Sequence, residues 1–204
     1  MRIAAVTITY NRLELTKRTI ESFYSKTKVD KHVFVDNGST DGTQEYLKDK
    51  YDHIFLEKNY GITDAFIIAA EQLLDYDFIL KLDNDIETVT EGILEKMLQF
   101  YEVNGMYFVA SPVDLNLDPN YAPRSFGRNC LNGFNVSYVT HTGGAFQLIP
   151  SEICGSLIRD YNHFKLGDQA IGGFYMDRGY RPIYMSDLQM RHIGLNQTSP
   201  NYIL

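Results

Sequence analysis

Residues 77–85 read Asp-Phe-Ile-Leu-Lys-Leu-Asp-Asn-Asp, and this short segment carries the strongest signal for the fold. The run from Phe78 to Leu80 is apolar and continuous, which is typical of a strand buried on both faces of a sheet. It leads directly to Asp83 and Asp85. Because side chains two residues apart in an extended backbone point the same way, we expect the two carboxylates to face one location.

Two carboxylates at the end of a buried strand indicate a ligand site. Open α/β sheets bind their ligands at the carboxyl ends of their strands. The hard oxygen atoms of Asp83 and Asp85 suit Mn²⁺ or Mg²⁺, which would keep coordination positions for water and substrate phosphates. A plain acidic turn is the competing interpretation, because Asp and Asn also stabilise turns and helix caps.

The composition is that of one ordinary globular domain. The chain has 204 residues, 44% hydrophobic and 22% charged, and no apolar run approaches the roughly 20 residues of a membrane span. Cys130 and Cys154 are too few for a disulfide framework, although the sequence allows one bridge between them, so a reducing, cytoplasmic location is expected. The formal net charge of −7 disfavours a nucleic-acid partner.

Strands alternate with helices over the first 110 residues, which predicts β-α-β units and a mostly parallel central sheet flanked by helices. Thr40 or Asp41 is the expected cap of the second helix. No repeat or linker divides the chain, so a single α/β domain over residues 1–204 is expected. In this part we expect strands at residues 3–9, 32–35, 54–56, 77–85 and 106–110, and helices at residues 13–25, 41–50, 63–74 and 89–102.

The second half of the chain is less regular and predicts a smaller antiparallel portion. Residues 112–133 contain Pro, Asn and Gly without a period, and we expect a long loop there. Ser151 is the expected cap of a helix that follows Pro150, and Gly179 is expected to end a helix at residues 168–177. We further expect strands at residues 134–140 and 145–149 joined by a turn at 141–144, a last short strand at 182–185, and little regular structure at 186–204.

Polar residues follow four of the predicted strands at the point where each strand ends. They are Thr9 to Arg12, Asp36 to Asp41, Asn59 to Gly61, and Asp83 to Asp85. Because the carboxyl ends of parallel strands meet at one edge, these clusters should line a single crevice that binds a polar, phosphorylated ligand. The chain lacks both Gly-x-Gly-x-x-Gly after the first strand and Gly-x-x-x-x-Gly-Lys-Ser/Thr, which argues against a dinucleotide enzyme or a P-loop phosphotransferase.

In this pattern the chain resembles the family 2 glycosyltransferases of GT-A fold over roughly residues 1 to 185. The aspartate blocks in their order make the resemblance specific as a set. The residues that carry it are Thr9-Tyr10-Asn11-Arg12, Val35 to Thr43, Asn59-Tyr60-Gly61, Leu82-Asp83-Asn84-Asp85, Gly143-Gly144-Ala145-Phe146, Gly167-Asp168 and Gly179-Tyr180-Arg181.

The resemblance implies a binding site for a nucleotide-sugar donor, expected to be a UDP-sugar, with Mn²⁺ or Mg²⁺ as cofactor. It implies Asp168 as the general base, and Asp85, Asp83 and His192 as metal ligands. From the residues alone, Asp168 could equally be a helix N-cap and His192 an ordinary packing histidine. The implied donor-binding residues are Thr9, Tyr10, Asn11, Arg12, Asp36, Asn37, Asn59, Gly61, Lys81, Asp83, Asn84, Gly143 and Gly144.

The implied reaction moves one sugar, with inversion, to the hydroxyl of an acceptor glycan or other hydroxyl compound. Residues 1–110 would bind the donor, and residues 111–204 would bind the acceptor. The Gln-x-x-Arg-Trp pattern of processive synthases is missing and the chain has no tryptophan, so non-processive transfer is expected. Two alternatives stay open: a sugar-nucleotide nucleotidyltransferase, which would need a Gly-rich and basic first turn, and a non-catalytic nucleotide-sugar or carbohydrate-binding module.

Overall fold

The first half of the chain forms the alternating strands and helices that the sequence predicts, with one short additional strand at Ile86–Thr88 that was not predicted. The computed structural model describes residues 1–116, 125–160 and 168–194, with only the backbone of 168–171. The elements are β1 (Ile3–Thr9), α1 (Leu13–Lys26), β2 (Lys31–Asp36), α2 (Thr43–Lys48), β3 (Asp52–Phe55), α3 (Ile62–Ala70) with a 3₁₀ turn (Glu71–Leu73), β4 (Phe78–Asp83), β5 (Ile86–Thr88) and α4 (Ile93–Asn104).

The second half adds strands that pair in both directions. They are β6 (Phe108–Asp114), β7 (Ser125–Leu131), β8 (Phe134–Val139), β9 (Phe146–Pro150) and β10 (Arg181–His192), with helices α5 (Ser151–Asp160) and α6 (Asp168–Asp177). None of the described helices is long and apolar enough to cross a membrane.

The ten strands of the described residues belong to one mixed sheet. Its order is β3-β2-β1-β4-β9-β6-β10-β8-β7, and β5 pairs with the end of β10. β1 to β4 are mutually parallel, and β10 is parallel to β6. β9 runs antiparallel between β4 and β6, and β8 runs antiparallel between β10 and β7. The expected α/β architecture with a smaller antiparallel portion is therefore confirmed.

Burial on both faces explains why the central strands have continuous apolar sequences. Every residue of β1 is buried, and its successive side chains enter two different hydrophobic clusters on opposite faces of the sheet. Ile3 and Ala5 contribute to one cluster, and Ala4 and Val6 to the other. A strand that alternates between two dry environments can carry apolar residues at every position.

The long loop expected at residues 112–133 is wrong over much of its length. β6 continues to Asp114, and β7 occupies residues 125–131, while residues 117–124 lie outside the described part. β7 is the edge strand of the sheet, and its first six residues are exposed. A strand that buries neither face has no alternation of apolar and polar residues, so periodicity gives no signal for it.

The last strand is much longer than expected and includes part of the supposed irregular tail. β10 runs to His192, and its pairing with β6 shifts register between Met185 and Gln189. Leu188 and Met190 are buried and alternate with more exposed neighbours. The period-two signal was present in the sequence, but the irregularity interrupts it. Residues 195–204 lie outside the described part.

Three local expectations are also corrected. The turn at residues 141–144 does not make a hairpin, because β8 pairs with β7 and β10 whereas β9 pairs with β4 and β6. The second helix begins at Thr43 with Gly42, not Thr40 or Asp41, at the N-cap position, although Asp41 Oδ1 accepts the Thr43 backbone N–H at 3.2 Å and the Thr43 hydroxyl at 2.6 Å. Ser151 is the first residue of α5, and its buried hydroxyl has no hydrogen-bond partner among the described residues. Both cysteines are free.

Candidate functional site

The carboxyl ends of the parallel strands bring the predicted polar clusters to one edge of the sheet. Thr9 is in register with Asp36, and Ile8 is in register with Asp83. Asp114 ends β6, and His192 ends β10 at the same edge, where β10 is parallel to β6. The strand ends thus assemble a rim of acidic side chains from parts of the chain far apart in sequence.

The Asp36 carboxylate is fully buried and saturated by neutral hydrogen-bond donors. Its Oδ2 accepts the hydroxyls of Thr9 at 2.7 Å and of Ser39 at 2.5 Å. Its Oδ1 accepts the backbone N–H groups of Gly38 and Ser39, at 3.1 and 2.8 Å, and the amide of Gln44 at 2.8 Å. Five donors on one carboxylate organise the turn after β2. This structural role of Asp36 was not predicted from the sequence.

The turn after β1 interlocks with the turn after β2. The Asn11 backbone N–H donates to the Ser39 hydroxyl at 2.7 Å, and the Asn11 side-chain oxygen accepts the backbone N–H of Thr40 at 3.0 Å. The Leu13 N–H donates to Asp41 at 2.8 Å. Asn11 and Arg12 both have left-handed backbone, with φ of 55° and 65°. This conformation is unfavourable for most residues other than glycine. The hydrogen bonds between the two turns hold it in place.

Asn37 joins the second turn to the third. Its side-chain amide donates to the Gly61 carbonyl at 3.2 Å, and its oxygen accepts the Tyr60 backbone N–H at 3.3 Å. The Asn59 side chain accepts the Gly61 N–H at 2.8 Å. A Cβ added at Gly38 would lie 3.0 Å from the Lys58 backbone, which explains a glycine there. Predicted donor-binding residues therefore form a connected frame, with the partly exposed Tyr10 ring beside it.

Lys81 and Asp83 lie together at the end of β4. The buried Lys81 ammonium donates to Asp83 Oδ1 at 2.5 Å and to the Gly144 carbonyl. Lys81 therefore connects the aspartate to the Gly143–Gly144 turn that precedes β9. The Gly143 N–H donates to the Tyr184 hydroxyl at 2.9 Å, which connects the same turn to β10.

Asp85 is enclosed by positive charge. Its Oδ2 accepts a hydrogen bond from Arg12 Nη1 at 2.6 Å, and its Oδ1 lies 3.1 Å from His192 Nε2. Its side chain is only 4% exposed. Burial alone would raise the pKa of Asp85, but the hydrogen bond and charge of His192, with the charges of Arg12 and Lys81, outweigh it, so the net pKa is lowered.

His192 lies between two carboxylates. Its Nε2 faces Asp85, and its Nδ1 lies 3.7 Å from Asp114 Oδ2. Its backbone N–H also donates to Asp114 Oδ1 at 3.0 Å. Burial disfavours the charged imidazole, but hydrogen bonds with Asp114 and Asp85 prevail and raise the pKa of His192 to about 10. Sequence reasoning missed Asp114, since it fell in the predicted loop.

The local geometry around Asp85 differs from the expected extended backbone. β4 ends at Asp83, and Asn84 and Asp85 form a turn before β5. The Asn84 amide donates to Thr16 Oγ1 at 3.1 Å, which attaches this turn to α1. Asp83 and Asp85 therefore have different partners and burial, and the alternation argument is wrong although both residues reach the rim.

The chain after β10 passes directly over Asp85. The Ile193 backbone N–H donates to the Asp85 carbonyl at 2.8 Å. A Cβ added at Gly194 would overlap the Asp85 carboxylate, so this close passage requires glycine. Asp85 is thus covered by Arg12, by His192 and by the backbone at Gly194.

Asp168 is the first residue of α6, and its side chain lies outside the described part. Its predicted role as general base therefore stays a prediction. The backbone of α6 at Gly172 lies close to the segment that precedes the Gly143–Gly144 turn, because a Cβ on Gly172 would overlap His141 and the Thr140 carbonyl.

The oxygen and nitrogen atoms at this rim have the chemistry to bind a divalent metal, but cationic side chains of the protein contact the carboxylates in this structure. Asp83 and Asp85 supply hard oxygens, His192 supplies an imidazole nitrogen, and Asp114 would orient that imidazole from outside. Within residues 1–116, 125–160 and 168–194, no group of three acidic, His or Cys side chains is arranged to hold a metal. A metal would have to displace Arg12 from Asp85 and a proton from His192.

The fold matches those of several solved glycosyltransferases. PcManGT, a mannosyltransferase from Pyrobaculum calidifontis solved with GDP-Man and Mn²⁺, has a TM-score of 0.72 and 16% identity, over 97% of this chain and 58% of that one. S. aureus TarS has a TM-score of 0.70 and 19% identity, over 95% and 61%. GalNAc-T7, solved with UDP, GalNAc and Mn²⁺, has a TM-score of 0.75 and 12% identity, over 99% and 46%.

The chain thus spans about half to three fifths of these solved chains, and at such identities the likeness concerns the GT-A fold. No curated protein matches the sequence at a significant level. The profile of glycosyl transferase family 2 matches residues 4–154, which is well over half of the chain. On the strength of that match and of the shared fold, the chain belongs to glycosyltransferase family 2.

Proposed function

We propose that the protein transfers one sugar from a nucleotide-diphosphate sugar to an acceptor hydroxyl, with Mn²⁺ or Mg²⁺ as cofactor. The observation that carries this proposal is the rim formed by Asp36, Asp83, Asp85, Asp114 and His192 at the ends of neighbouring strands. The profile match defines the reaction class. UDP is the proposed nucleotide, although one structural relative was solved with GDP-Man.

The first half of the chain is proposed to bind the donor. The frame made by Thr9, Asn11, Asp36 and Asn37 is rigid before any ligand binds, because its side chains bond to one another. Tyr10, at the rim, offers an exposed ring to a base or a ribose. Such preorganisation reduces the ordering cost of binding. Asp36 would act chiefly by shaping this frame, since protein donors already occupy both of its oxygens.

Asp83, Asp85 and His192 are proposed to hold the divalent cation. When bound, the cation would neutralise charge on the diphosphate leaving group. Lys81, already bonded to Asp83 and Gly144, would hold the Gly143–Gly144 turn beside the transferred sugar.

Asp168 is proposed to accept the proton of the acceptor hydroxyl as that oxygen attacks the sugar. Direct displacement by the acceptor from the face opposite the leaving group would invert the anomeric centre. Replacing Asp168 with Asn should therefore abolish transfer while leaving donor binding within about twofold. Transfer at the wild-type rate by Asp168→Asn would remove this assignment without affecting the donor site.

The second half of the chain is proposed to receive the acceptor. A cavity of about 300 Å³ lies there near the start of β10, at the opposite end of that strand from His192, and would hold a part of the acceptor away from its attacking hydroxyl. It is lined by Phe126, Tyr138, Val139, Met176, Arg181 and Pro182. Its aromatic rings and guanidinium suit the apolar faces and polar edges of a glycan.

A thermal-shift screen of UDP-sugars and GDP-mannose, with and without Mn²⁺, tests the proposal. We expect one donor to raise the melting temperature only when Mn²⁺ is present, since a ligand bound to the folded state stabilises it. Nucleotide release from that donor in the presence of candidate acceptors then measures turnover. Stabilisation by nucleoside triphosphate with pyrophosphate release would indicate a nucleotidyltransferase instead. Donor binding without any hydrolysis or transfer would indicate a binding module.

A further inference from the structure

We propose that Arg12 is an internal substitute for the divalent cation at Asp85, and that its guanidinium moves from Asp85 to the diphosphate when donor and metal bind together. The inference deepens the proposed function and depends on it. It predicts that the metal binds well only as a complex with the nucleotide.

The position of Arg12 is the first reason. Its Nη1 lies 2.6 Å from Asp85 Oδ2, so it holds the oxygen that a metal would need. His192 lies on the other oxygen, and the backbone at Gly194 covers the carboxylate from a further side. Within the described residues, the Asp85 side chain retains only 4% exposure. A cation from solvent therefore cannot bind Asp85 unless Arg12 moves.

The charge balance is the second reason. Asp83 is in direct contact with Lys81, and Asp85 is in direct contact with Arg12 and His192. Adding a divalent cation alone would leave Arg12 without its carboxylate, next to a second positive charge. Adding the cation with a diphosphate supplies negative charge for Arg12 at the same time. The balanced exchange favours binding of the complex over binding of the metal alone.

The chemistry of the two cations distinguishes Arg12 from Lys81. The Lys81 ammonium also donates to the Gly144 carbonyl, so it is fixed between two elements. The Arg12 side chain is more exposed, at 19% against 9% for Lys81. A guanidinium keeps its charge at all relevant pH values and matches the geometry of phosphate oxygens. Arg12 is therefore the cation suited to exchange partners.

The backbone at Arg12 supports a motion of the side chain alone. Hydrogen bonds from the second turn hold the neighbouring residues Asn11 and Leu13, and Thr16 N donates to the Arg12 carbonyl at 3.0 Å. The left-handed backbone of Arg12 is thus fixed on both sides. Only the side-chain torsions remain to carry the guanidinium from the carboxylate toward a ligand.

Titration calorimetry with MnCl₂ alone, and with MnCl₂ in saturating UDP, tests the inference on the full chain. GDP replaces UDP if UDP does not bind. We expect the wild type to bind Mn²⁺ at least about tenfold more tightly with nucleotide than without it. Arg12→Asn should bind Mn²⁺ alone about tenfold more tightly than the wild type, and should bind nucleotide with Mn²⁺ more weakly. Asn tolerates a left-handed backbone, so this variant should fold, and circular dichroism checks that it does.

Two further variants separate charge from structure. Arg12→Lys keeps a cation, so its affinity for Mn²⁺ alone should stay close to the wild-type value. Arg18→Gln removes an exposed arginine of the adjacent helix α1 that pairs with Glu87, and its affinities for Mn²⁺ alone and for nucleotide with Mn²⁺ should match those of the wild type. If Arg12→Asn fails to fold, the test is made with Arg12→Lys. Because this variant keeps a cation at the position, it must still bind Mn²⁺ more tightly with nucleotide than without it, and loss of that difference overturns the inference.

The outcomes separate this inference from the proposed function. An unchanged or weaker affinity of Arg12→Asn for Mn²⁺ alone overturns the substitution model, while nucleotide binding that still needs Mn²⁺ leaves the proposed function intact. If Mn²⁺ has no effect on nucleotide binding to the wild type, both proposals fail.

Discussion

Two buried carboxylates at the same rim are stabilised in opposite ways. Asp36 accepts five hydrogen bonds from hydroxyl, amide and backbone donors, all of them neutral. Asp85 contacts the side chains of Arg12 and His192. The neutral donors around Asp36 are part of the fold itself, and no ligand competes with them for the oxygens of that carboxylate. The cationic side chains around Asp85 can be replaced by another cation. The Asp85 region is therefore suited to exchange its partners when a ligand binds, whereas the hydrogen bonds around Asp36 are suited to stay in place.

Removing the carboxylate of Asp85 should have the largest effect on the activity. Asp85→Asn takes away a proposed metal ligand, and we expect Mn²⁺-dependent nucleotide affinity to fall by at least about a hundredfold. Titration calorimetry measures this. Asp114→Asn is the matched comparison, because it only orients His192, and its loss should lie between about tenfold and a hundredfold. Wild-type affinity in Asp85→Asn would mean that the charged region is structural, like the Asp36 region.

Removing the carboxylate of Asp36 should instead reduce stability. In Asp36→Asn a side-chain N–H₂ group faces donors that need an acceptor, and we expect the free energy of unfolding to fall by about 2–4 kcal/mol. Urea unfolding should give the same loss with and without Mn²⁺. Asp52→Asn, at an exposed pair with Lys31, should change stability by less than about 1 kcal/mol. A loss that depends on Mn²⁺ would contradict the division between the two regions.

Crowding Asp85 through the backbone should have a smaller effect. Gly194→Ala places a methyl group against the carboxylate, and we expect a loss of about 1–3 kcal/mol in urea unfolding together with weaker Mn²⁺ binding. Gly173→Ala is the control, since a Cβ there meets no atom within 4 Å. In helix α6 that change should stabilise the protein slightly, by up to about 1 kcal/mol. Equal behaviour of the two variants would show that the close passage over Asp85 has no energetic consequence.

The smallest expected effect is the pH dependence of the metal-free protein. The pKa of His192 is raised from 6.5 to about 10, so its stabilisation is complete below about pH 6.5 and is lost as the pH rises toward 10. The pKa values of Asp85 and Asp114 are lowered from 3.8, so their contribution is lost as the pH falls below that value. With chelator present, the free energy of unfolding should decrease between pH 6.5 and pH 9.5. His192→Gln should show a flatter profile, and an unchanged slope would remove His192 as its source.

The sequence was sufficient for the parallel part of the fold and for the convergence at its rim. β1 begins and ends where predicted, because its apolar run is bounded by polar turn residues on one side. Once the strands are parallel, their carboxyl ends must share an edge, so Asp36 and Asp83 can be placed at the same rim without any knowledge of side-chain contacts. Topology alone accounts for that part of the site.

The contacts that give the site its character could not be read in the same way. Arg12 and Asp85 are 73 residues apart and meet because of a left-handed backbone that no residue type at that position signals. His192 reaches Asp114 only because β10 returns beside β6 and then continues past an irregularity. Such pairings depend on three-dimensional packing, whereas periodicity reports only which face of an element is apolar.

The interior placement of β10 has a practical consequence for shortened versions of the protein. The profile match stops at residue 154, yet β10 lies between β6 and β8 and carries His192. Recombinant protein trimmed to the matched region would lose a middle strand and leave the backbone edges of β6 and β8 without a hydrogen-bonding partner. Anyone shortening this gene for expression should therefore preserve the coding sequence at least through Gly194.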